Sequence, residues 1–150
     1  MTNDKFRKND DFDLQNFLPF LLNQAAEESS LEFQRAYKDR YGLLRTEWRV
    51  LFHLGIFGEM TAKDIGERAK THKTKISRAV RKLEQRRFLK RSRDEGDRRV
   101  EWLVLTPAGQ TVYRELRGIA QQYDARLAGL FSADEAALLR RMLRRLAGMD

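Results

Sequence analysis

The 150-residue chain contains no cysteine and only two histidines. Without cysteine it can form neither a disulfide scaffold nor a catalytic thiolate, and thiol-based redox sensing is excluded. The histidines, His53 and His72, lack the spacing to another His, Asp or Glu that a metal site requires. We therefore expect neither a metal site nor a cofactor. His72 is expected to contact phosphate or solvent.

Long apolar segments are also missing. No run approaches the roughly 18 apolar residues that cross a bilayer, and the polar start of the chain lacks the apolar core of a secretory signal. We expect a cytoplasmic protein without a membrane partner. The sequence also has no Gly-rich phosphate loop and no recognisable Ser/His/Asp arrangement. Nothing in it therefore supports an enzyme, and we predict no catalytic residues.

The positive charge is concentrated between Thr61 and Thr106. This segment holds fifteen Lys and Arg residues against seven Asp and Glu, an excess of eight that equals the formal net charge of +8 of the whole chain. The remaining residues contain fifteen of each sign. Such a concentration of one charge in an otherwise neutral frame is typical of a protein that binds a polyanion.

The start of the chain shows helical periodicity. A first helix is expected from residue 14 to about residue 40, with Gly42 as its C-cap. Thr46 is the expected N-cap of a second, largely buried helix, and Gly55 and Gly58 are expected to bracket its end.

Two short helices follow inside the basic segment. Thr61 is expected to cap the first, and a break around residues 71–73 separates it from a helix over about 74–87. Apolar residues of the second helix recur at helical spacing, which leaves a basic, hydroxyl-bearing face outside. This arrangement is typical of a helix-turn-helix. The predicted DNA-contacting residues here are Lys73, Thr74, Lys75, Ser77, Arg78, Arg81 and Lys82.

Two β-strands, over residues 89–93 and 100–105, are predicted next, joined by a hairpin tip that carries Arg98 and Arg99. A solvated, charged tip is one interpretation. The alternative is that an Arg pair enters a narrow, electronegative minor groove. Asp94 and Asp97 are then interpreted as internal partners that orient the arginines.

Thr106-Pro107 predicts the start of a long helix, and Ser132-x-x-Glu135 is a capping box for a last helix. The fold class is therefore mainly α (α+β): a winged helix-turn-helix with N- and C-terminal helices that form an α-helical dimerisation region. Residues 1–12 are expected to be a flexible arm, residues 13–45 and 107–150 the dimerisation region, and residues 46–106 the DNA-binding domain. The outer helices carry more apolar surface than a monomer could cover, which predicts a homodimer.

Four segments in this order resemble the MarR family of bacterial transcription regulators. The most specific combines the D-x-x-D-R-R pattern of residues 94–99 with the L-T-x-x-G pattern of residues 105–109. The segments over residues 41–51, 65–69 and 76–84 are also similar. Three residues depart from the family pattern: Phe88 where Gly is usual, and Glu101 and Trp102 in the second strand.

The resemblance implies a homodimeric repressor that binds double-stranded DNA at a roughly palindromic operator, with Arg98 in the minor groove. It also implies release by a small aromatic or anionic effector bound between the dimerisation and DNA-binding parts. Aromatic side chains near that site are otherwise expected in the core or dimer interface, and His53 is otherwise a half-buried helix residue. The candidate effector residues are Phe17, Phe20, Trp48, Arg49 and His53. A winged-helix module that binds protein instead of DNA remains the alternative function.

Overall fold

The computed structural model describes residues 8–149, and the chain divides into two compact units at Leu31 and Glu32. The expected N-terminal arm lies partly outside the described residues, and residues 8–13 have no regular structure. The first unit contains a 3-10 helix, Leu14–Asn16, and the start of α1. The helices are α1 (Leu18–Tyr41), α2 (Arg45–Phe57), α3 (Ala62–Ala69), α4 (Lys73–Gln85), α5 (Pro107–Ala128) and α6 (Ala133–Leu146). The strands are β1 (Leu89–Arg93) and β2 (Glu101–Leu105).

The ends of α1 and α2 show how the chain satisfies free backbone groups. Gly42, with φ 65°, ends α1 as predicted. The prediction of Thr46 as the cap of α2 is wrong, because α2 begins at Arg45 and Thr46 lies in its first turn. The carboxylate of Glu47 accepts the backbone N–H of Leu44 at 2.9 Å. A side chain three residues into the helix thus satisfies the N–H of the residue that precedes α2, without a hydroxyl cap.

The two glycines expected to bracket the end of α2 have different roles. Gly58 is the C-cap, with φ 77°. Gly55 lies inside α2, and a Cβ there would come within 2.5 Å of the Tyr113 ring. The two glycines bracket the end of α2 at Phe57, as expected, and the missing side chain of Gly55 also lets α2 approach α5 closely.

The core of the second unit lies between α2, α4, α5 and the strands. Leu51, Ile65, Leu83 and Leu116 are all fully buried, which means that α2, α3, α4 and α5 each contribute to one cluster. The structure confirms the predicted fold class: the chain is mainly helical, with a two-stranded antiparallel sheet.

The last two helices begin as the sequence predicted. Thr106 Oγ1 accepts the N–H of Gly109 at 3.1 Å, and Pro107 is the first residue of α5. At α6, Ser132 Oγ accepts the N–H of Glu135 at 3.1 Å, and the Glu135 carboxylate accepts the N–H of Ser132 at 2.9 Å.

Ion pairs join the outer helices of the second unit. Arg140 of α6 donates to Asp124 of α5 at 2.9 Å. Arg40 and the Tyr41 hydroxyl, at the end of α1, both donate to Glu115 of α5. Burial raises the pKa of Tyr41 to about 12, and the hydrogen bond to Glu115 adds to this shift.

Candidate nucleic-acid interface

The second helix of the helix-turn-helix, α4, has one buried face and one exposed face. Ile76, Ala79, Val80 and Leu83 are at most 3% exposed, as their spacing predicted. All seven predicted contact residues on α4 are exposed. The helix begins at Lys73, and His72 is its N-cap, with Nδ1 accepting the N–H of Thr74 at 3.1 Å. His72 thus has a structural role that the sequence did not reveal.

The turn between α3 and α4 depends on two backbone features. Lys70 adopts the left-handed conformation, with φ 49° and ψ 46°. The N–H of Thr71 then donates to the carbonyl of Gly66 at 3.0 Å, and a Cβ at Gly66 would lie 3.3 Å from the Thr71 carbonyl oxygen. Glycine at residue 66 lets the chain turn tightly onto α3, so that α4 presents its polar face outward.

The β-hairpin after α4 is the wing. Its strands pair in antiparallel register from Leu89↔Leu105 to Arg93↔Glu101. Leu89, Leu103 and Leu105 are at most 5% exposed, so the base of the wing is anchored in the core. The tip, residues 94–100, projects from that base.

A single carboxylate organises the wing tip. The Asp94 side chain accepts the N–H groups of Gly96 at 3.0 Å and Asp97 at 2.9 Å, and the indole N–H of Trp102 at 3.1 Å. The hydrogen bond from Trp102 is the main cause that lowers the pKa of Asp94. The interpretation of Asp94 as a partner that orients an arginine is therefore wrong. Trp102, an unusual strand residue, explains the change, because its indole N–H requires an acceptor.

The two wing arginines differ in their surroundings. Arg99 donates through Nε to Asp97 at 3.2 Å, as expected for an oriented arginine, and this bond lowers the pKa of Asp97. Arg98 is exposed and has no hydrogen-bond or ion-pair partner among residues 8–149. The Arg99 side chain is nevertheless 91% exposed, so the guanidinium groups of both wing arginines are accessible to a partner molecule.

Phe88 stands where the family pattern usually has glycine, but the backbone conformation that favours glycine is found one residue earlier, at Arg87. Arg87, with φ 60°, adopts the left-handed conformation that favours glycine, whereas Phe88 does not. The Phe88 carbonyl accepts the N–H of Thr106 at 3.0 Å. These contacts fix the point where the wing begins against the start of α5.

The candidate effector residues lie in both units and are described separately. In the first unit, Phe20 is half-buried, and Phe17 is 45% exposed and contacts Phe12 edge-on, with 5.4 Å between ring centroids. In the second unit, Trp48, Arg49 and His53 are half-buried on α2.

The three α2 candidates make contacts with one another and with the core. The Trp48 ring lies 5.2 Å from the Phe33 ring, edge-on, and the Arg49 guanidinium lies 5.8 Å from the Trp48 ring. His53 Nδ1 is 2.6 Å from the Arg49 carbonyl oxygen, to which it donates. Trp48 therefore helps to form the aromatic core of the unit.

A groove of about 630 Å³ lies between α2 and α5. Phe52, Ile56, Tyr113 and Arg117 are among the residues that line it, and none of the three α2 candidates is among them. Sequence reasoning missed Tyr113 and Arg117 because they come from α5, more than fifty residues along the chain.

Within residues 8–149, no group of three or more His, Cys, Asp or Glu side chains could hold a metal ion. No helix in the same range is both long and apolar enough to cross a membrane.

Comparison with known proteins finds transcriptional regulators that resemble this chain in sequence and in fold. The sequence model of the MarR family matches residues 41–100, which span α2, the helix-turn-helix and the wing tip. The chain is 24% identical over 126 residues to YwaE of Bacillus subtilis (strain 168), an uncharacterised HTH-type transcriptional regulator. That match covers 84% of this chain and 74% of YwaE.

Solved structures show the same fold over most of the chain. A MarR family transcriptional regulator from Silicibacter pomeroyi DSS-3 superposes with a TM-score of 0.80 at 27% identity, covering 93% of this chain and 98% of that one. BpsR of Bordetella bronchiseptica, whose DNA binding is regulated by 6-hydroxynicotinic acid, superposes with a TM-score of 0.84 at 23% identity. That likeness covers 94% of this chain and all of BpsR.

Proposed function

We propose that this chain, which belongs to the MarR family of helix-turn-helix transcriptional regulators, is a homodimeric repressor that binds double-stranded DNA at a specific operator. The observation that carries the proposal is the exposed basic face of α4 beside a wing tip whose Arg98 has no partner among residues 8–149. A major groove accepts an α-helix, and a narrow minor groove attracts an inserted arginine.

The residues of α4 divide by chemistry into three groups: arginines, hydroxyl-bearing residues and lysines. Arg78 and Arg81 have the forked donors that pair with guanine or phosphate, and Thr74 and Ser77 can donate to phosphate or base. Lys73, Lys75 and Lys82 are point charges suited to phosphates. Arg98 enters the minor groove in this proposal, and Arg99, oriented by Asp97, is the second wing arginine that contacts DNA.

A homodimer would cover apolar side chains that each unit leaves exposed. In the second unit they lie in and before α6; in the first unit they lie along α1. The exposed set is Leu18, Leu21, Leu31, Leu130, Phe131, Leu138, Met142, Leu143 and Leu146. We assign dimerisation to residues 13–45 and 107–150 and DNA binding to residues 46–106. A two-fold dimer would read a pseudo-palindrome with half-sites about 34–36 Å apart or a multiple of this.

A small aromatic or anionic ligand is proposed to release the repressor from DNA. BpsR provides a structural precedent, since its DNA binding is regulated by 6-hydroxynicotinic acid. The α2–α5 groove is lined by Phe52, Tyr113 and Arg117, and also by Asp124, whose carboxylate is paired with Arg140 at 2.9 Å. An aromatic carboxylate would find both stacking surface and a counter-ion in such a groove. Phe17, Phe20, Trp48, Arg49 and His53 remain candidates for the same role.

Selection from random double-stranded DNA, followed by gel shift, tests the proposal. The expected result is an enriched pseudo-palindrome whose half-site centres are about 10 base pairs apart or a multiple of this. The Arg78→Ala variant should bind it more weakly. A module that binds protein does not require the basic face of α4, and this charge favours DNA over that alternative. Failure to enrich any sequence, together with no shift of genomic DNA, would support the protein-binding module.

A further inference from the structure

One arginine joins the wing to the helix that precedes it. Arg91 of β1 donates through Nε to Glu84 of α4 at 3.0 Å and through Nη1 to Glu101 of β2 at 2.7 Å. The three side chains thus come from three consecutive elements. We call them the wing-base cluster.

The geometry of this cluster restrains the hairpin. Glu84 lies in the last turn of α4, whereas Arg91 pairs in register with Leu103, two residues from Glu101 along β2. Both carboxylates approach different nitrogens of one planar guanidinium, so a rotation of the wing about its base would lengthen at least one bond. The hydrogen bonds from Arg91 to Glu101 and to Glu84 both stabilise the charged guanidinium and raise the pKa of Arg91.

The cluster is poorly suited to stabilising the fold. Its side chains are 35–42% exposed, and exposed ion pairs contribute little to folding stability. The base of the wing is already anchored by Leu89 and Leu103, which are at most 2% exposed.

The carboxylates of Glu84 and Glu101 also repel DNA phosphates and so weaken DNA binding. Their presence in a basic module therefore calls for a role that outweighs this loss of affinity. Control of the wing angle provides one.

We propose that Glu84, Arg91 and Glu101 are positioning residues, which set the angle between the wing and α4 so that both can enter adjacent grooves of one DNA duplex. This role rests on the proposed DNA-binding function. Neither carboxylate would touch DNA. Each would act through Arg91. Glu101, which departs from the family pattern, would hold Arg91 from β2 while Glu84 holds it from α4.

The direction in which Glu84→Ala changes the affinity for DNA distinguishes a positioning role from a purely electrostatic effect. Glu84→Ala removes a negative charge, so electrostatics alone predicts tighter DNA binding. The proposed restraint predicts weaker binding instead, by about 1.4- to 5-fold for each subunit, the range that the loss of one exposed ion pair implies. Fluorescence anisotropy on a selected operator measures the difference.

Glu67→Ala is the matched control. Glu67 is also an exposed helical glutamate of the basic segment, and its side chain has no partner among the described residues. This variant has the same change in charge and should bind DNA as tightly as the wild type, or more tightly. Thermal melting checks that both variants fold.

A second measurement detects whether the wing contacts the minor groove. Hydroxyl-radical footprinting of Glu84→Ala should show reduced minor-groove protection at the wing contacts, with major-groove protection by α4 retained. Glu101→Ala should behave in the same way. Because both carboxylates act through Arg91, the double variant should lose less affinity than the product of the two single losses.

The proposal is overturned if Glu84→Ala binds as tightly as Glu67→Ala, or if its footprint matches that of the wild type. Strictly multiplicative losses would also overturn it. These outcomes differ from failure of the proposed function, in which the wild type and Glu67→Ala themselves would not bind DNA.

Discussion

Replacing Gly109 with alanine should destabilise the junction between the wing and α5. Gly109 is buried in the first turn of α5. A Cβ there would lie 1.9 Å from the carbonyl oxygen of Phe88 and 2.9 Å from its carbonyl carbon, whereas ordinary contact begins at 3.4 Å. Both obstacles are backbone atoms, so no change of side-chain rotamer can relieve the overlap. The start of α5 has to move away from the wing.

The magnitude follows from three contributions, of which two destabilise the folded state and one stabilises it. Forcing an extra methyl group into a packed site costs about 1–3 kcal/mol. Alanine in place of glycine in a helix returns up to about 1 kcal/mol. The displacement also strains the hydrogen bond from the Gly109 N–H to Thr106, and loss of such a cap costs about 1 kcal/mol. We therefore expect the free energy of unfolding to fall by about 1–3 kcal/mol.

Urea unfolding measures this change. With a denaturant slope of about 1–3 kcal/mol per molar urea, the midpoint should fall by on the order of 1 M. Gly118→Ala is the control in the same helix, since a Cβ at Gly118 meets no atom of the described part of the chain within 4 Å. It should be as stable as the wild type or up to about 1 kcal/mol more stable. A Gly109→Ala midpoint at or above that of the wild type would refute the steric argument.

Three further substitutions test other parts of the account. Arg98→Ala should weaken DNA binding at an unchanged melting temperature, because Arg98 is exposed and unpartnered among the described residues; a much lower melting temperature would show a structural role instead. The pKa of Tyr41 is raised to about 12 in the folded state, so its stabilising effect is present below about pH 10 and is lost as the pH rises toward 12. Thermal melts of Tyr41→Phe should therefore fall less steeply with alkaline pH than those of the wild type, and parallel slopes would contradict this. Leu143→Arg should shift the light-scattering mass from about twice 17.7 kDa toward the monomer or toward aggregates, and an intact dimer would contradict the proposed interface.

Features set by local spacing were predictable from the sequence. The buried stripe of α4 follows from apolar residues at helical intervals, and the α6 capping box follows from Ser132 and Glu135 three residues apart. Thr106 could be recognised as a cap for the same reason. In each case the interacting groups lie within one or two helical turns, so tertiary packing does not alter the choice of partner.

Contacts that depend on tertiary structure were not predictable in this way. The close approach of Tyr113 to Gly55 follows from no local spacing, and Thr46 resembles a cap although Glu47 satisfies the free N–H. Asp94 has nearby arginines in sequence, yet it bonds Trp102 because the antiparallel register brings the indole across the hairpin. Choosing among competing partners of similar chemistry required the three-dimensional arrangement.

The salt dependence of DNA binding shows whether α4 and the wing bind a polyanion through their charges. Anisotropy titrations of a selected operator between about 50 and 200 mM salt give the binding constant at each concentration. If α4 and the wing bind DNA through their basic side chains, log K should fall linearly with log salt, with a slope of about −0.9 for each phosphate contacted. Several contacts per subunit predict a steep line for the dimer. A flat response, or no binding at the lowest salt, would contradict the assignment of this chain as a DNA-binding regulator.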